Sequence, residues 1–504
     1  MNTHRISRIM ILASVGVFLF SCQKKTGTDE KRLTQEEAAA PAAVLPEPAW
    51  RRTLAILTRE GRSPAEDALL GEFIGDLTER LSAGRTLRVA VWPYGLSGRD
   101  TGLFADATLD CRVGVPGSGD ARWFFSLKKD GASNPAWEAS LESPCGSVYE
   151  LARRTAVRTA LVFAMDTTVI AKKRVPGLKA PLFGRYLDAR TCLGEKRRES
   201  LDCAVRGFKE VLKGDSTFIR AWQGLAASYL DNIRNRWDVN RVWVQLAQDA
   251  AFRAMRIDST AGGVRFLLAQ VYVQWGDLSS AERETRRSLD LNPNLAEAWS
   301  LLGDLAVQSR GQYDVGLEAY GRALLLSPAL SRAAAGKSLV QMGMGRYPEA
   351  AGTLESAIRA NPEDAELHSC LALGRLYQRN LEAAGAEIRL GLDSERLRPF
   401  SSAVKAMILA SNGNLDGAVE EVTLHVEPYA AGNAPLCVSV AAVYALLGRK
   451  GLSVQWLEKA VSLGYKDYIW LSNDPNFDGM RADPRFSDLL GKVKTEWQKT
   501  LAPA

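Results

Sequence analysis

Histidine is almost missing from this chain, with 3 in 504 residues. His4 falls in an apolar leader, and His368 and His425 stand far apart with no HExxH or Cys/His cluster around them. A histidine-built zinc centre needs ligands at set spacings, so none is expected. No CxxC occurs, which argues against a dithiol redox pair or a zinc ribbon. A G-x-S-x-G nucleophile elbow is also missing. "AGKSLV" (335–340) has the tail of a phosphate-binding loop, but Ser331 stands where the first glycine belongs and the segment reads as helix. "VGVPGSGD" (113–120) lacks dinucleotide spacing and reads as a hairpin turn. Pairs such as Glu420-Glu421 read as helix surface. No enzyme activity, metal or cofactor is therefore expected, and no small-molecule substrate. The 64 Lys and Arg outnumber the 58 Asp and Glu by 6 without forming a basic block, so no nucleic-acid partner is expected either. No apolar run reaches the roughly 20 residues needed to span a bilayer.

What is present is a globular composition, 46% hydrophobic and 24% charged, over a length that suits roughly three domains. Arg5 and Arg8 precede an uncharged apolar run, Ile9 to Phe20, which suits the core of an export signal. The run ends in Leu19-Phe20-Ser21-Cys22, which resembles a bacterial lipobox. That resemblance implies cleavage of residues 1–21 and lipidation of Cys22. Gln23 in place of Asp leans toward the outer membrane. Residues 22–49 mix charge, Ala and Pro without apolar periodicity and read as the lipidated Cys and a flexible linker.

Pro293, Pro328 and Pro362 lie 35 and 34 residues apart, each after an Ala/Leu-rich helical segment. A 34-residue period of paired helices is the tetratricopeptide (TPR) signature. "WQGLAASY" (222–229) and "WSLLGDLA" (299–306) resemble the opening of its first helix. Small residues recur where paired helices approach: Ala247, Ala281, Gly316, Ala350 and Ala384. About eight helix pairs are expected in an all-α superhelical solenoid over 180–465, closed by a helical cap at 466–504. "DPNFDG" (474–479) has the opening letters of a calcium loop, but Arg485 stands at its twelfth place, where a bidentate Glu is required. With "ADPRFSDLL" after it, it reads instead as two D-P-x-F helix starts that seal the end of the solenoid.

Residues 50–165 do not repeat. Strands are expected at 52–61, 86–94, 107–115, 121–129 and 135–142, with helices at 64–82 and 146–164, which makes an α+β domain. "LAILTREG", "FIGDLTERLS", "ADATLDCRVGVPGSGDARWFFSLKKDG" and "PAWEASL" resemble, in order, the elements of the TolB-like N-terminal domain that accompanies TPRs in bacterial adenylate-cyclase-like and regulatory proteins. The tail, "WLEKAVSLGYKDYIWLSNDPNFDGMRADPRFSDLL", resembles the end of such proteins. The usual cyclase, kinase or helix-turn-helix partner domain is absent, and a short Gly-rich loop replaces a helix after Tyr94.

The function expected is a membrane-anchored envelope scaffold, in the periplasm or at the outer membrane, that holds protein partners in its TPR groove. A cytoplasmic-type regulatory TPR protein and a periplasmic enzyme with an unreadable site are the alternatives. By repeat phase, the groove residues are Phe266, Gln270, Asp304, Val307, Leu339 and Met342. An insertion, "IRNRWDVNRVW" (233–243), adds Trp237 and Trp243, either as partner anchors or as packing. Cys192 with Cys203, and Cys111 with Cys145, are disulfide candidates.

Overall fold

The computed structural model describes residues 50–58, 63–83, 86–93, 105–114, 120–168, 170, 177–195, 197–235, 237–238, 240–392 and 398–501. The expected leader, Cys22 and the linker lie outside the described residues, as do the Gly-rich loop and the turn at 115–119. Two compact units divide the chain: 46–302 with 321–330, and 303–320 with 331–504.

The first unit begins with β1 (Arg52–Thr58), α1 (Pro64–Ser82) and β2 (Leu87–Pro93). Ser63 starts α1: its hydroxyl accepts from the Glu66 amide, and Pro64 takes the first helical position. β1 and β2 pair in parallel, which needs a crossover, and α1 supplies it. β3 (Ala107–Gly114), β4 (Asp120–Lys129) and β5 (Trp137–Pro144) follow as an antiparallel meander, giving the order β2-β1-β3-β4-β5. β5 starts two residues later than expected because Pro135, which has no N–H to donate, stays in the connection. β4 alternates cleanly: Ala121, Trp123, Phe125 and Leu127 are buried while Arg122 and Phe124 are exposed. α1 lays Phe73 on Trp123 and Phe125, at ring distances of 5.0 and 5.2 Å. A single 3-10 turn then leads into α2 (Val148–Val162), which packs on α1.

Helix pairs begin with α3 (Ala180–Gly194) and α4 (Arg198–Gly214), tied by a Cys192–Cys203 disulfide. The second candidate bridge does not form. Cys111 is on β3 and Cys145 follows β5, with β4 between them. Two strand spacings, about 9.5 Å, exceed the roughly 4.4–6.8 Å that a disulfide allows between Cα atoms. Next come α5 (Ile219–Arg234) with α6 (Val242–Ile257), and α7 (Gly262–Trp275) with α8 (Leu278–Leu291). The sheet's core continues into these pairs without a break: Phe73 and Tyr149 share one cluster with Phe183, Tyr186, Phe208, Phe218 and Tyr229.

Buried charge lies inside that shared core. Arg80 is fully buried and meets Asp76 at 2.5 Å; Arg220 of α5 reaches Asp76 at 3.4 Å and Glu79 at 3.0 Å; Arg190 of α3 meets Glu72 at 2.8 Å. Burial pushes the Asp76 carboxyl up against the pull of Arg220 and Arg80. At Glu72 burial pushes the same way, but Arg190, Arg220 and the Tyr149 hydroxyl outweigh it and hold the carboxyl below its usual range.

The turn after α8 closes one edge of the sheet. The Asn294 amide donates to Leu87 O at 3.0 Å and Ser82 Oγ at 2.8 Å, and its carbonyl accepts from Val89 N at 3.1 Å. It thus pairs with β2 as another strand would. Asn294→Ala is expected to cost about 2–3 kcal/mol, because it leaves a buried strand N–H and C=O without partners. Chemical denaturation measures the loss, which Asn294→Asp should not restore.

α9 (Ala296–Arg310) and α10 (Tyr313–Leu326) form the fourth pair. The second unit continues with α11 (Ser331–Gly343) and α12 (Tyr347–Ala360), α13 (Ala365–Tyr377) and α14 (Leu381–Gly391), α15 (Arg398–Ser411) and α16 (Leu415–His425), then α17 (Ala434–Leu446) and α18 (Lys450–Ser462). The described residues thus hold eight helix pairs that follow an α+β layer in the chain: a TPR solenoid. Gly276, Gly345, Gly413 and Gly448 end first helices with φ of 80°, 75°, 80° and 71°. After α13 Arg379 takes that role with φ 61°, and Asn380 caps the next helix through Ala383 N. Ala247, Ala281, Ala350 and Ala384 are fully buried, as close helix approach requires.

Candidate functional site: the first-helix face and the segment lying on it

After α18 come α19 (Tyr468–Asn473), a 3-10 helix (Pro475–Met480) and α20 (Pro484–Leu501). Both expected helix starts form. The Asp474 carboxylate accepts from Asn476 N at 2.9 Å, and the Asp483 carboxylate from Arg485 N at 3.0 Å. α20 packs on α18 and α19, and its Trp497 lies against Gly311, between α9 and α10. Residues 467–480 do something else: they start at Tyr313 of α10 and lie along the first helices of pairs five to eight, with Tyr347 of α12 beside them.

Hydrogen bonds and rings mark the path. Tyr313 donates to Asp467 at 2.5 Å; Asn473 Nδ2 donates to Gly343 O at 2.7 Å; Tyr347 donates to Asn473 O at 3.1 Å. Trp470 meets Tyr377 at a ring distance of 6.3 Å, and its edge crowds Gly343, where an added Cβ would sit 3.2 Å from Trp470 Cε3. Asn476 reaches the Met407 sulfur of α15 at 3.5 Å. Phe477 and Met480 are fully buried, with the 3-10 helix against α17. A residual cavity of about 30 Å³, lined by Leu339, Tyr377, Met407, Trp470 and Asp474, remains under the segment. That is room for about one water.

Asp474 is buried there, and burial, opposed by the Asn476 amide, pushes its carboxyl up from 3.8 to about 6. The folded state therefore holds this proton more tightly than the unfolded chain. The resulting stability is complete below about pH 4 and is lost as pH rises to about 6, a change on the order of 3 kcal/mol. Asp474→Asn keeps a capping oxygen and should abolish that loss. Hydrogen exchange at 467–480, compared between variant and wild type across pH 4–7, measures it. Equal pH dependence in the two proteins would refute the assignment.

The residues expected to line a partner groove separate into two sets. Asp304, Val307, Leu339 and Met342 do not face an open groove; they are 2%, 7%, 3% and 1% exposed. Asp304 accepts from Tyr320 at 2.7 Å and from Arg332 at 2.6 and 2.9 Å, so its carboxylate is consumed inside the helix stack. Val307 fills the space that Gly316 leaves, 2.5 Å from where a Cβ would stand, and Met342 packs near Gly374. Leu339 does point to the first-helix face but is covered by 467–480. Phe266 and Gln270, one turn apart on α7, are half-buried. Of the insertion, Trp243 packs on Tyr229 at 5.6 Å and donates to Asp238 at 2.8 Å, while Trp237 is half-buried.

Sequence reasoning missed Tyr377, Trp470 and Asp474 as a group, although the aromatic spacing in "DYIWLSNDPNF" carried a signal. Among the described residues, no cluster of His, Cys, Asp and Glu fits a metal ion. Both ring nitrogens of His368 are engaged, by Glu387 at 2.6 Å and Pro362 O at 2.7 Å. No helix among the described residues is long and apolar enough to cross a membrane.

No model of a known protein family and no curated protein sequence matches this chain. Several solved structures resemble it. The APC/C hetero-tetramer Cut9–Hcn1 is similar over 69% of this chain at 15% identity with a TM-score of 0.44; this chain spans 60% of the length of that one. PilF of Pseudomonas aeruginosa is similar over 42% of this chain and 90% of its own, at 18% identity and a TM-score of 0.35. Human IFIT1, solved as a dimer with PPP-AAAA, is similar over 62% of this chain and 78% of its own, at 13% identity and a TM-score of 0.40.

Proposed function

We propose that this chain is a non-catalytic, lipid-anchored scaffold of the bacterial envelope whose helix pairs hold polypeptide partners on their first-helix face. The observation that carries this reading is the seating of 467–480. Pairs five to eight hold a segment of two short helical turns through amide and hydroxyl hydrogen bonds to backbone carbonyls and through aromatic contacts. The same chemistry serves a segment of another protein. On α7, the half-buried Phe266 and Gln270 offer an apolar and a polar contact of that kind. The leader-like residues 1–21 and Cys22 support the anchor, and the order of elements in 50–165 supports a TolB-like layer.

A photo-crosslinking residue at position 266 in native membranes tests the partner. The expected result is one specific protein adduct, lost when Gln270 is changed to Glu. Adducts with abundant envelope proteins only, unchanged in the variant, would sink the scaffold reading. Labelled palmitate tests the anchor separately: incorporation by the wild type and none by Cys22→Ala is expected.

A further inference from the structure

The two edges of the sheet differ. Asn294 closes β2, whereas β5 pairs with β4 and with no other strand among the described residues. Beneath β5 lies a cleft of about 560 Å³ between the inner faces of β4 and β5 and helix α2. It exists because α2 packs on α1, and α1 covers the Trp123 and Phe125 side of the sheet. Trp137, Ala139 and Leu141 point inward from the edge strand yet stay only half-buried. The volume lies within the range of pockets that take drug-sized ligands, about 300–1,000 Å³.

The floor is apolar, with Phe125, Trp137 and Leu151. The rim is cationic. α2 brings Arg153, Arg154 and Arg158 to one side of the cleft. Glu150 serves two of them at once, Arg153 at 2.6 and 2.8 Å and Arg154 at 3.0 Å. Glu142, on the strand side, is engaged by Arg122. Arg158 has no ion pair among the described residues; its guanidinium lies over the Trp137 ring, 5.8 Å from the centroid. The Trp137 indole N–H is buried without an acceptor. Donors thus exceed acceptors around an apolar floor, an imbalance that an anionic ligand offsets.

We propose that this cleft binds a small organic anion: a carboxylate on an apolar body. The body lies against Phe125, Trp137 and Leu151, and the carboxylate meets Arg158 and Arg154. The guanidinium fork suits a carboxylate geometrically. An ammonium on the same body is rejected by charge, and a neutral alcohol forfeits the charge-assisted bonds. The cleft is built by β4, β5 and α2, none of which contributes a residue to the first-helix face, so the inference stands whether or not the scaffold reading does.

The test uses the full chain with decanoate as probe, below its micelle concentration, read by calorimetry and by hydrogen exchange. Submillimolar binding with added protection at 137–144 and 148–158 is expected, and decan-1-ol should bind at least about tenfold more weakly. Arg158→Glu should lose at least about tenfold in affinity, whereas Lys128→Glu, the same charge change on the outer face of β4, should lose none. Ala139→Trp, which fills the floor, should abolish binding at an unchanged melting temperature, and covers the case in which Arg158→Glu fails to fold. Equal binding of decanoate and decan-1-ol, full affinity in Arg158→Glu or Ala139→Trp, or no protection at millimolar decanoate would each overturn the proposal.

Discussion

Phe477→Ala is expected to lower stability by about 3–5 kcal/mol and to lift residues 467–480 off the first-helix face. Phe477 is fully buried and stacks on Phe486 at 5.6 Å, so its removal opens a hole at the junction of the 3-10 helix and α20. What remains on the segment is the burial of Leu471 and Met480, the Trp470 ring contact and side-chain hydrogen bonds worth about 1 kcal/mol each. Without the Phe477 anchor these no longer offset the entropy of ordering residues 467–480. Trypsin should then cut after Lys466 and Arg481 well before the solenoid unfolds, and amide exchange along 467–480 should speed up by orders of magnitude. Cleavage kinetics like those of the wild type would show that the segment is held by its ends and not by this side chain.

Arg220→Met should be comparably severe, at about 3–5 kcal/mol, in the first unit. Arg220 is the cation that Asp76 and Glu79 share, and it also lies 5.9 Å from the Tyr149 ring centroid. Methionine replaces its volume but leaves buried carboxylates with fewer counter-charges, and an uncompensated buried charge is what makes breaking such networks costly. Adding Glu79→Gln to Arg220→Met, which leaves Asp76 paired with Arg80, should recover part of the loss. Denaturant midpoints of the single and double variants decide this; a double variant no better than the single would mean that Arg220 acts by packing.

The solenoid was legible because its physics is periodic. Prolines at a 34–35-residue spacing and small residues at helix crossings are local signals repeated often enough to be unmistakable. Asp474 and Asp483 were read correctly as helix starts for the same reason, since capping acts within three residues. Asp304 and Met342 show the limit. Repeat phase places a residue on a helix face but does not say what lies across from it. Tyr320 and Arg332 reach Asp304 from other helices, and Leu339 is covered by a segment more than a hundred residues away. The Arg158–Trp137 cleft was hidden likewise: it depends on how two helices share five strands, which no single window of sequence contains.

Asn294 carries a consequence for synthesis. The β2 edge that it closes is complete about 205 residues before Asn294 leaves the ribosome. At roughly 5–20 residues per second, that edge stands open for about 10–40 s on every nascent chain. During that interval "RVAVW" is an uncapped, apolar strand able to pair with its neighbours on a polysome. A chaperone that shields extended strands would therefore matter most while the first three helix pairs are being made.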